Sequence, residues 1–396
     1  MISSLYIHIP FCLQKCDYCD FFSKPHSGKI PDAYVEAIIN EAEFYACKYG
    51  INCWKTIYFG GGTPGILSAR QISFILEKLS SRITSETSEI TMEMNPESVT
   101  KDKLLAAQTS GITRLSLGIQ SLNDRALKSV NRHCSSTKAK ESLKLIKEIW
   151  KGQLNLDAIA GLPEQSQDEF LSSLKEIISY NPDHISMYTL TIEEGTPLHK
   201  KIEDKKVEFN FDEADEQWLK GRELLESSGY LQYEVSNFSK PKKESRHNLT
   251  YWMQEDYVGV GAGASGTIYG NETIRWSNTR DIEKHTAFWT NEKNHDLKNA
   301  PRELENINLE TREFEFIMMG LRTTRGINSA RYEKLFSDVS PWNGNLSLRL
   351  GKNNGIWNKF SMEKITYEKK ESDGSTTFSL NSQGLIFLNK FLIELL

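Results

Sequence analysis

Cysteine is sparse in this chain, six residues in 396, and half of them fall between positions 12 and 19. So thin a supply excludes the disulfide framework of a small secreted domain. A long apolar run is also missing: no stretch reaches the roughly 18 consecutive apolar residues that a membrane-spanning helix needs. Charge of one sign is not in excess either. The net charge is −5 with 26% of residues charged, which gives no electrostatic footprint for nucleic acid or for an anionic membrane surface. Met1-Ile2-Ser3-Ser4-Leu5 lacks the basic and apolar regions of a secretory signal. These absences predict a soluble protein of the cytoplasm, where exposed thiols stay reduced. The length allows one large domain and a smaller one, with ample buried core.

What is present is concentrated in His8-Ile9-Pro10-Phe11-Cys12-Leu13-Gln14-Lys15-Cys16-Asp17-Tyr18-Cys19-Asp20. The apolar run 5–9 reads as a strand, so Cys12, Cys16 and Cys19, spaced C-x3-C-x2-C, lie on the loop that leaves it. Three thiolates on one tight loop can converge on a single metal centre. An iron–sulfur cubane normally takes four cysteine ligands, so three leave one iron open for another molecule. Structural zinc usually takes four ligands in paired C-x2-C form, and no second pair exists here. The cluster is the favoured reading, beside the alternatives of zinc and of unused thiols. Cys47, Cys53 and Cys134 are scattered and read as ordinary core or surface thiols.

Short apolar runs alternate with amphipathic stretches, the pattern of parallel βα units. Strands are expected at 5–9, 56–59, 89–94, 114–119, 154–159 and 184–190, and helices at 32–49, 69–82, 101–110, 136–150 and 167–180. Six such units favour an α/β barrel or partial barrel over two separate domains, with an open doubly wound sheet as the runner-up, and periodicity alone does not decide between the two architectures. The polar and glycine-rich features fall where these strands end: the cysteine loop, Gly60-Gly61-Gly62-Thr63-Pro64-Gly65, Glu93, Gly118-Ile119-Gln120-Ser121, Asp157 and Gly161-Leu162-Pro163. In a parallel barrel that end carries the active site. Each has a plainer reading too. The glycines can serve a tight turn, and a surface ion pair would explain Arg132. Glu93 and Asp157 stand among apolar neighbours, where an inward carboxylate is costly unless paired or used.

After about residue 195 the pattern changes. A helix is expected at 211–228. Ser245-Arg246-His247-Asn248-Leu249-Thr250-Tyr251-Trp252 then reads as a loop crowded with a histidine, polar groups and aromatics. Imidazole is a common haem-iron ligand, and the plain alternative is a satisfied histidine among core aromatics. The small residues of 258–266 suggest close backbone packing. Polar residues 271–308 read as a connecting region. Helices at 311–321, 329–336 and 383–395, with a hairpin at 364–367 and 376–380, suggest a winged-helix-like unit. It has no basic stripe for nucleic acid, so a docking or covering role is expected. The resulting division is a barrel over 1–235, a motif-bearing and connecting segment over 236–308, and a small domain over 309–396.

The C-x3-C-x2-C motif with Tyr18 before its last cysteine resembles the radical S-adenosylmethionine (SAM) superfamily. Tyr6-Ile7-His8-Ile9-Pro10-Phe11-Cys12, Tyr58-Phe59-Gly60-Gly61-Gly62-Thr63-Pro64, Gly161-Leu162-Pro163 and His247-Asn248-Leu249-Thr250-Tyr251-Trp252 bring it nearer still to the HemW-type haem chaperones. These form a subgroup of the oxygen-independent coproporphyrinogen III oxidase family. The resemblance implies a partial (β/α)6 barrel and a [4Fe–4S] cluster on Cys12, Cys16 and Cys19, with SAM on the open iron. It places Tyr6 near the cluster and SAM, sets Gly61, Gly62 and Thr63 against the SAM amino-acid portion, and gives Glu93, Gln120, Arg132 and Asp157 as SAM contacts. It implies haem as ligand, with His247 as a haem contact, and haem-acceptor respiratory enzymes or a membrane-associated acceptor as partners. A cytoplasmic monomer or dimer reaching the inner membrane through that acceptor is expected. The oxidase has a further cysteine two residues after the last cluster ligand, where this chain has Phe21. It also lacks H-N-x-x-Y-W. Coproporphyrinogen oxidation is therefore not expected, and no catalytic residue is assigned. Ser265 stands where relatives tend to have a histidine.

Overall fold

The computed structural model describes residues 1–395 apart from 271, 292–295, 340 and 354. Expectations touching those positions, within the connecting segment and the C-terminal unit, lie outside the described residues, as does residue 396.

Six parallel strands line up in chain order: β1 (Ile2–Ile9), β2 (Cys53–Gly61), β3 (Glu89–Met94), β4 (Arg114–Gln120), β5 (Gln153–Ala160) and β6 (His184–Thr189). Helices Asp32–Lys48, Ala69–Leu79, Lys101–Thr109, Ser136–Ile149 and Gln167–Ser179 connect them. The strands follow a period of two, interrupted by register shifts where β1 meets β2 and near the end of β4. Ile57, Phe59, Ile90, Met92, Met94, Leu115, Leu117, Leu156, Ile185 and Met187 are buried in one apolar cluster with residues of those helices. The alternate positions are polar and bond to one another across the interior. Tyr58 Oη donates to Glu93 Oε1 at 2.7 Å, and Asn155 Nδ2 donates to Ser116 Oγ at 2.7 Å and Asp157 Oδ1 at 2.7 Å. This is a partial barrel with an oily outside and a wet inside.

The interior needs a stopper at the end away from the cysteines, and residues 245–252 supply it. They were expected as a loop. Instead Arg246–Trp252 is a helix whose N-cap, Ser245, accepts from Asn248 N. Glu89, buried at the start of β3, accepts the backbone N–H groups of Arg246 and His247, each at 3.0 Å, and the Ser245 hydroxyl at 3.4 Å. A carboxylate there satisfies orphan donors and suits the positive end of the helix dipole.

Residues 271–308, expected as a connecting region, instead carry strands of the main sheet, as do parts of 236–270. Asn237–Ser239 pairs antiparallel with β6, and Tyr257–Val260 pairs parallel with β1. Ser265–Tyr269, Thr273–Asn278 and Arg302–Ile307 then extend the same sheet, and with Leu231–Gln232 on the far edge it has twelve strands among the described residues. Their polarity misled because Arg302–Ile307 is an outer strand with most residues exposed, and edge strands carry charge. Buried Glu41 ties this extension to helix Asp32–Lys48. It accepts from Gly261 N at 2.8 Å and Asn278 Nδ2 at 2.7 Å, and it pairs with His285 Nε2 at 2.8 Å. The close packing expected at 258–266 is present: a Cβ on Gly259 would stand 1.9 Å from the Ser265 carbonyl oxygen.

Residues from Leu309 onward form a winged-helix-like unit with its own core around Ile317, Tyr332, Phe336, Trp357 and Phe391. Its sheet runs Ile327–Asn328, Thr376–Leu380, Thr366–Lys370. The helix expected over 383–395 is two, Ser382–Ile386 and Leu388–Ile393. The unit docks beside the stopper helix: Gln254 Nε2 donates to Arg312 O at 3.3 Å and Arg331 Nη2 donates to Met253 O.

Replacing Glu89 by Ala strands two backbone donors and one hydroxyl. We expect a loss of about 3 kcal/mol in urea unfolding. Thr100→Ala, which removes an ordinary exposed cap, should cost about 1 kcal/mol. A Glu89→Ala loss no larger than that of Thr100→Ala contradicts the capping role.

Candidate functional site at the mouth of the barrel

At the C-terminal ends of the strands a cavity of about 460 Å³ is lined by Cys12, Cys16, Cys19, Gly61, Gly62, Thr63, Glu93, Gln120, Arg132 and Asp157. Ten of the twelve residues singled out from the sequence thus meet in one place. Among the described residues its lining includes none beyond Glu193, so the described part of the C-terminal unit does not line it. A larger groove of about 1040 Å³ lies between loop 161–166 and segment 202–217. None of the cysteines reaches it, and Glu164, Glu208, Asp212 and Glu213 make it acidic.

The cysteine loop is held at both ends. His8 bonds to the Phe22 carbonyl through Nε2 at 3.0 Å, while Tyr6 Oη lies 2.9 Å from its Nδ1. Burial pulls His8 down to about 4, so the ring is neutral at physiological pH. That fits Nε2–H donating to Phe22 and Nδ1 accepting from Tyr6. Asp17, buried, accepts from Asn131 Nδ2 at 3.2 Å and pairs with Lys201 at 2.5 Å. The glycine loop presses on this frame. Gly62 N donates to Ile9 O at 2.9 Å and Thr63 N to Phe11 O at 2.8 Å, so these two N–H groups are already used. A Cβ on Gly62 would lie 2.5 Å from the Phe11 carbonyl oxygen, and Gly61 has φ +117°. Glycine here serves close approach and a left-handed turn together.

The polar groups divide by sign. Burial pushes the Glu93 carboxyl up to about 7 and Asp157 raises it further, against the Tyr58 and Gly61 hydrogen bonds. Burial also raises Asp157, opposed by bonds from Ser186 and Asn155. Opposite them, Arg132 donates from Nη2 to Gly118 O at 2.6 Å and Asn95 Oδ1 at 2.8 Å, and Nη1 lies 3.5 Å from Cys16 Sγ. Its Nε is buried without a partner among the described residues. Gln120 lines the cavity with φ +68°, at the point where the register of β4 on β5 shifts. Burial raises the Cys12 and Cys19 thiols.

Tyr6 and His247 are elsewhere. The Tyr6 ring lies inside the barrel, 6.4 Å from His247 and 6.2 Å from Tyr58. His247 is fully buried, with Nδ1 2.7 Å from Thr56 Oγ1 and Nε2 2.7 Å from Tyr251 Oη. Tyr58 stacks on it at 4.9 Å, and burial lowers it to about 3. Both ring nitrogens are engaged, and here His247 is a neutral strut of the stopper helix. Sequence reasoning missed Asn95, Asp17 and the loop-holding role of His8. The alternation of polar residues along β1 to β6 was the available signal.

Residues 6–177 match the Radical SAM superfamily. The chain is 38% identical over 281 residues to heme chaperone HemW of Escherichia coli, covering 70% of this chain and 74% of that protein. With heme chaperone HemW of Haemophilus influenzae it shares 35% over 341 residues, 83% of this chain and 85% of the other. This chain belongs to the HemW family of radical SAM proteins. Among solved structures, coproporphyrinogen III oxidase (HemN) from Escherichia coli superposes with a TM-score of 0.78 at 20% identity, over 100% of this chain and 89% of that one, which establishes the shared fold.

Membership implies a [4Fe–4S] cluster and SAM, and the mouth fits them. Among the described residues no three His, Cys, Asp or Glu side chains are set to hold a single ion. A cubane instead takes one iron per thiolate, which suits three thiols that share a cavity without converging. Arg132 offers an orphan donor to an anionic group, and Glu93 with Asp157 offers acceptors to a cationic one.

Because Glu93 holds its proton more tightly when folded, its contribution to stability is full below its ordinary value of 4.5 and is lost as pH rises through about 7. The cofactor-free protein should lose roughly 3 kcal/mol relative to Glu93→Gln between pH 4.5 and 7.5. Parallel stability curves for the two proteins would remove the shift.

Proposed function

We propose that this protein is a haem chaperone. It binds haem and passes it to respiratory haemoproteins, on a scaffold that holds a [4Fe–4S] cluster through Cys12, Cys16 and Cys19 and SAM at the barrel mouth, in the cytoplasm. The observation that carries this reading is the identity with heme chaperone HemW across more than two thirds of both chains. Cluster and SAM together, when bound, supply one-electron reductive chemistry. The residues around them supply position and charge. Arg132 beside Cys16 offsets the negative charge of thiolates, and its free Nε suits a carboxylate. Glu93 and Asp157 suit an ammonium or ribose hydroxyls.

A second reading, a radical enzyme of the oxygen-independent coproporphyrinogen III oxidase type, draws support from the shared fold. Against it, Phe21 lies 72% exposed at the mouth where that oxidase carries a further cysteine.

Anaerobic reconstitution followed by SAM and then haem titration separates the two. A haem Soret band without conversion of coproporphyrinogen supports the chaperone, and turnover to protoporphyrinogen overturns it. In the same preparation Glu93→Gln should weaken SAM about tenfold, the scale of one charge-assisted bond, and leave haem affinity unchanged. His247→Ala should lose haem and thermal stability together, because its ring braces the stopper helix. Loss of haem at unchanged stability would return the imidazole to the iron.

A further inference from the structure

Arg114 is the first residue of β4, at the end of the barrel away from the cysteines. It is 2% exposed, yet among the described residues it makes one hydrogen bond, from Nη1 to the Lys243 carbonyl at 3.3 Å, and no ion pair. A guanidinium buried with no carboxylate against it is costly unless its charge is answered nearby. Its remaining donors have a polar cavity to turn to. That cavity, about 40 Å³ or room for about one water, is lined by Arg114 together with Glu93, Ser116 and Asp157. The last three also line the mouth cavity, so the buried cation lies directly behind the mouth carboxylates.

The register explains the gap. Arg114 pairs with Thr91 and Gln153, whereas Asp157 pairs with Gly118, two inward-facing positions further along β4. Ser116 stands between, and its short side chain leaves the space open. Asp157 is faced by Tyr58 and Glu93 from β2 and β3, by Arg114 from β4, by His184 and Tyr188 from β6, and by Arg132 from beyond β4. Burial keeps both tyrosines and the histidine neutral. Arg132 spends its bonds on Gly118, Asn95 and Cys16. At Asp157 the two guanidiniums join the Asn155 and Ser186 bonds in opposing burial. At Glu93 only the Tyr58 and Gly61 bonds do so.

We propose that Arg114 is a positioning residue for the mouth: acting across the water-sized cavity, its guanidinium keeps Asp157 an anion, ready for a cationic group of SAM. The inference rests on the SAM reading above and deepens it. The two carboxylates then have unequal parts, Asp157 as the standing anion and Glu93 as the one that exchanges its proton near neutrality.

The test measures SAM affinity near pH 8 and near pH 6, in the full chain with its cluster reconstituted anaerobically. Every variant carries Glu93→Gln, which removes the neighbouring titration, and comparing variants at one pH cancels the ionisation of SAM itself. With Arg114 in place, Asp157→Asn should weaken SAM about tenfold at both pH values, the scale of a charge-assisted bond. In Arg114→Gln the same replacement should cost about tenfold near pH 8 and under about twofold near pH 6, where Asp157 has taken up a proton. Arg114→Lys, which keeps the charge, should restore the loss near pH 6. A merely structural Arg114 would weaken SAM by one factor at both pH values, whatever stands at position 157, and that result overturns the proposal. So does an Asp157→Asn effect that disappears near pH 6 while Arg114 is intact, an outcome that needs no change at Arg114 at all. Asp157→Asn without effect near pH 8 would overturn this role and leave SAM binding standing. A wild-type chain that binds no SAM would remove the SAM reading, and this role with it.

Discussion

A barrel lined with polar side chains holds together only if those side chains find partners inside it, because an unpaired polar group in a closed interior costs as much as several good apolar contacts gain. In this protein the pairing is carried from strand to strand. Asp157 is served by Asn155, Asn155 by His184, and His184 Nε2 lies 2.8 Å from Tyr233 Oη, which accepts from Ser245 N. That last atom belongs to the stopper helix. The mouth carboxylates and the helix at the opposite end are thus members of one hydrogen-bonded column, with room beside it for about one water in a 40 Å³ cavity. Glu89 is the joint, since it belongs to a barrel strand and caps the helix.

Much of this was legible in the sequence, for identifiable reasons. The strand expected at 89–94 is found as Glu89–Met94, because apolar alternation fixes a half-buried strand well. The gathering of cysteines, glycines and carboxylates at one mouth follows from parallel topology once the strands are placed. Depth was not legible. Periodicity tells which face a residue takes and not how far inside it lies, so the full burial of His247 against Thr56, Tyr58 and Tyr251 was not foreseen. The spacing of Ser245 and Asn248 was an available helix-start signal, masked by the unusual side chains that follow. Polar outer strands read as a linker because solvent-facing edges look like linkers in composition.

The two ends of the barrel now have different characters. The mouth separates a cationic side, Arg132, from an acidic side, Glu93 and Asp157, as a zwitterionic ligand requires. The base is closed by the aromatic rings of the stopper helix, and the C-terminal unit leans on it, with none of its described residues lining the mouth. Winged-helix-like architecture here serves as a wall for the motif-bearing helix, which explains a unit of that shape with no basic stripe.

Strand β1 pairs with β2 on one side and with Tyr257–Val260 on the other. As the chain is synthesised, its first strand therefore has a neighbour within some fifty residues on one edge and none on the other until more than two hundred further residues have been made. Contacts of such sequence separation form late and slowly. The cysteine loop hangs from that strand, and His8, which fixes the loop's far end, packs against Gly261 just beyond the late-arriving segment. The loop's anchorage thus joins strands more than two hundred residues apart in the chain, so the thiol frame's geometry is tied to assembly of the sheet as a whole.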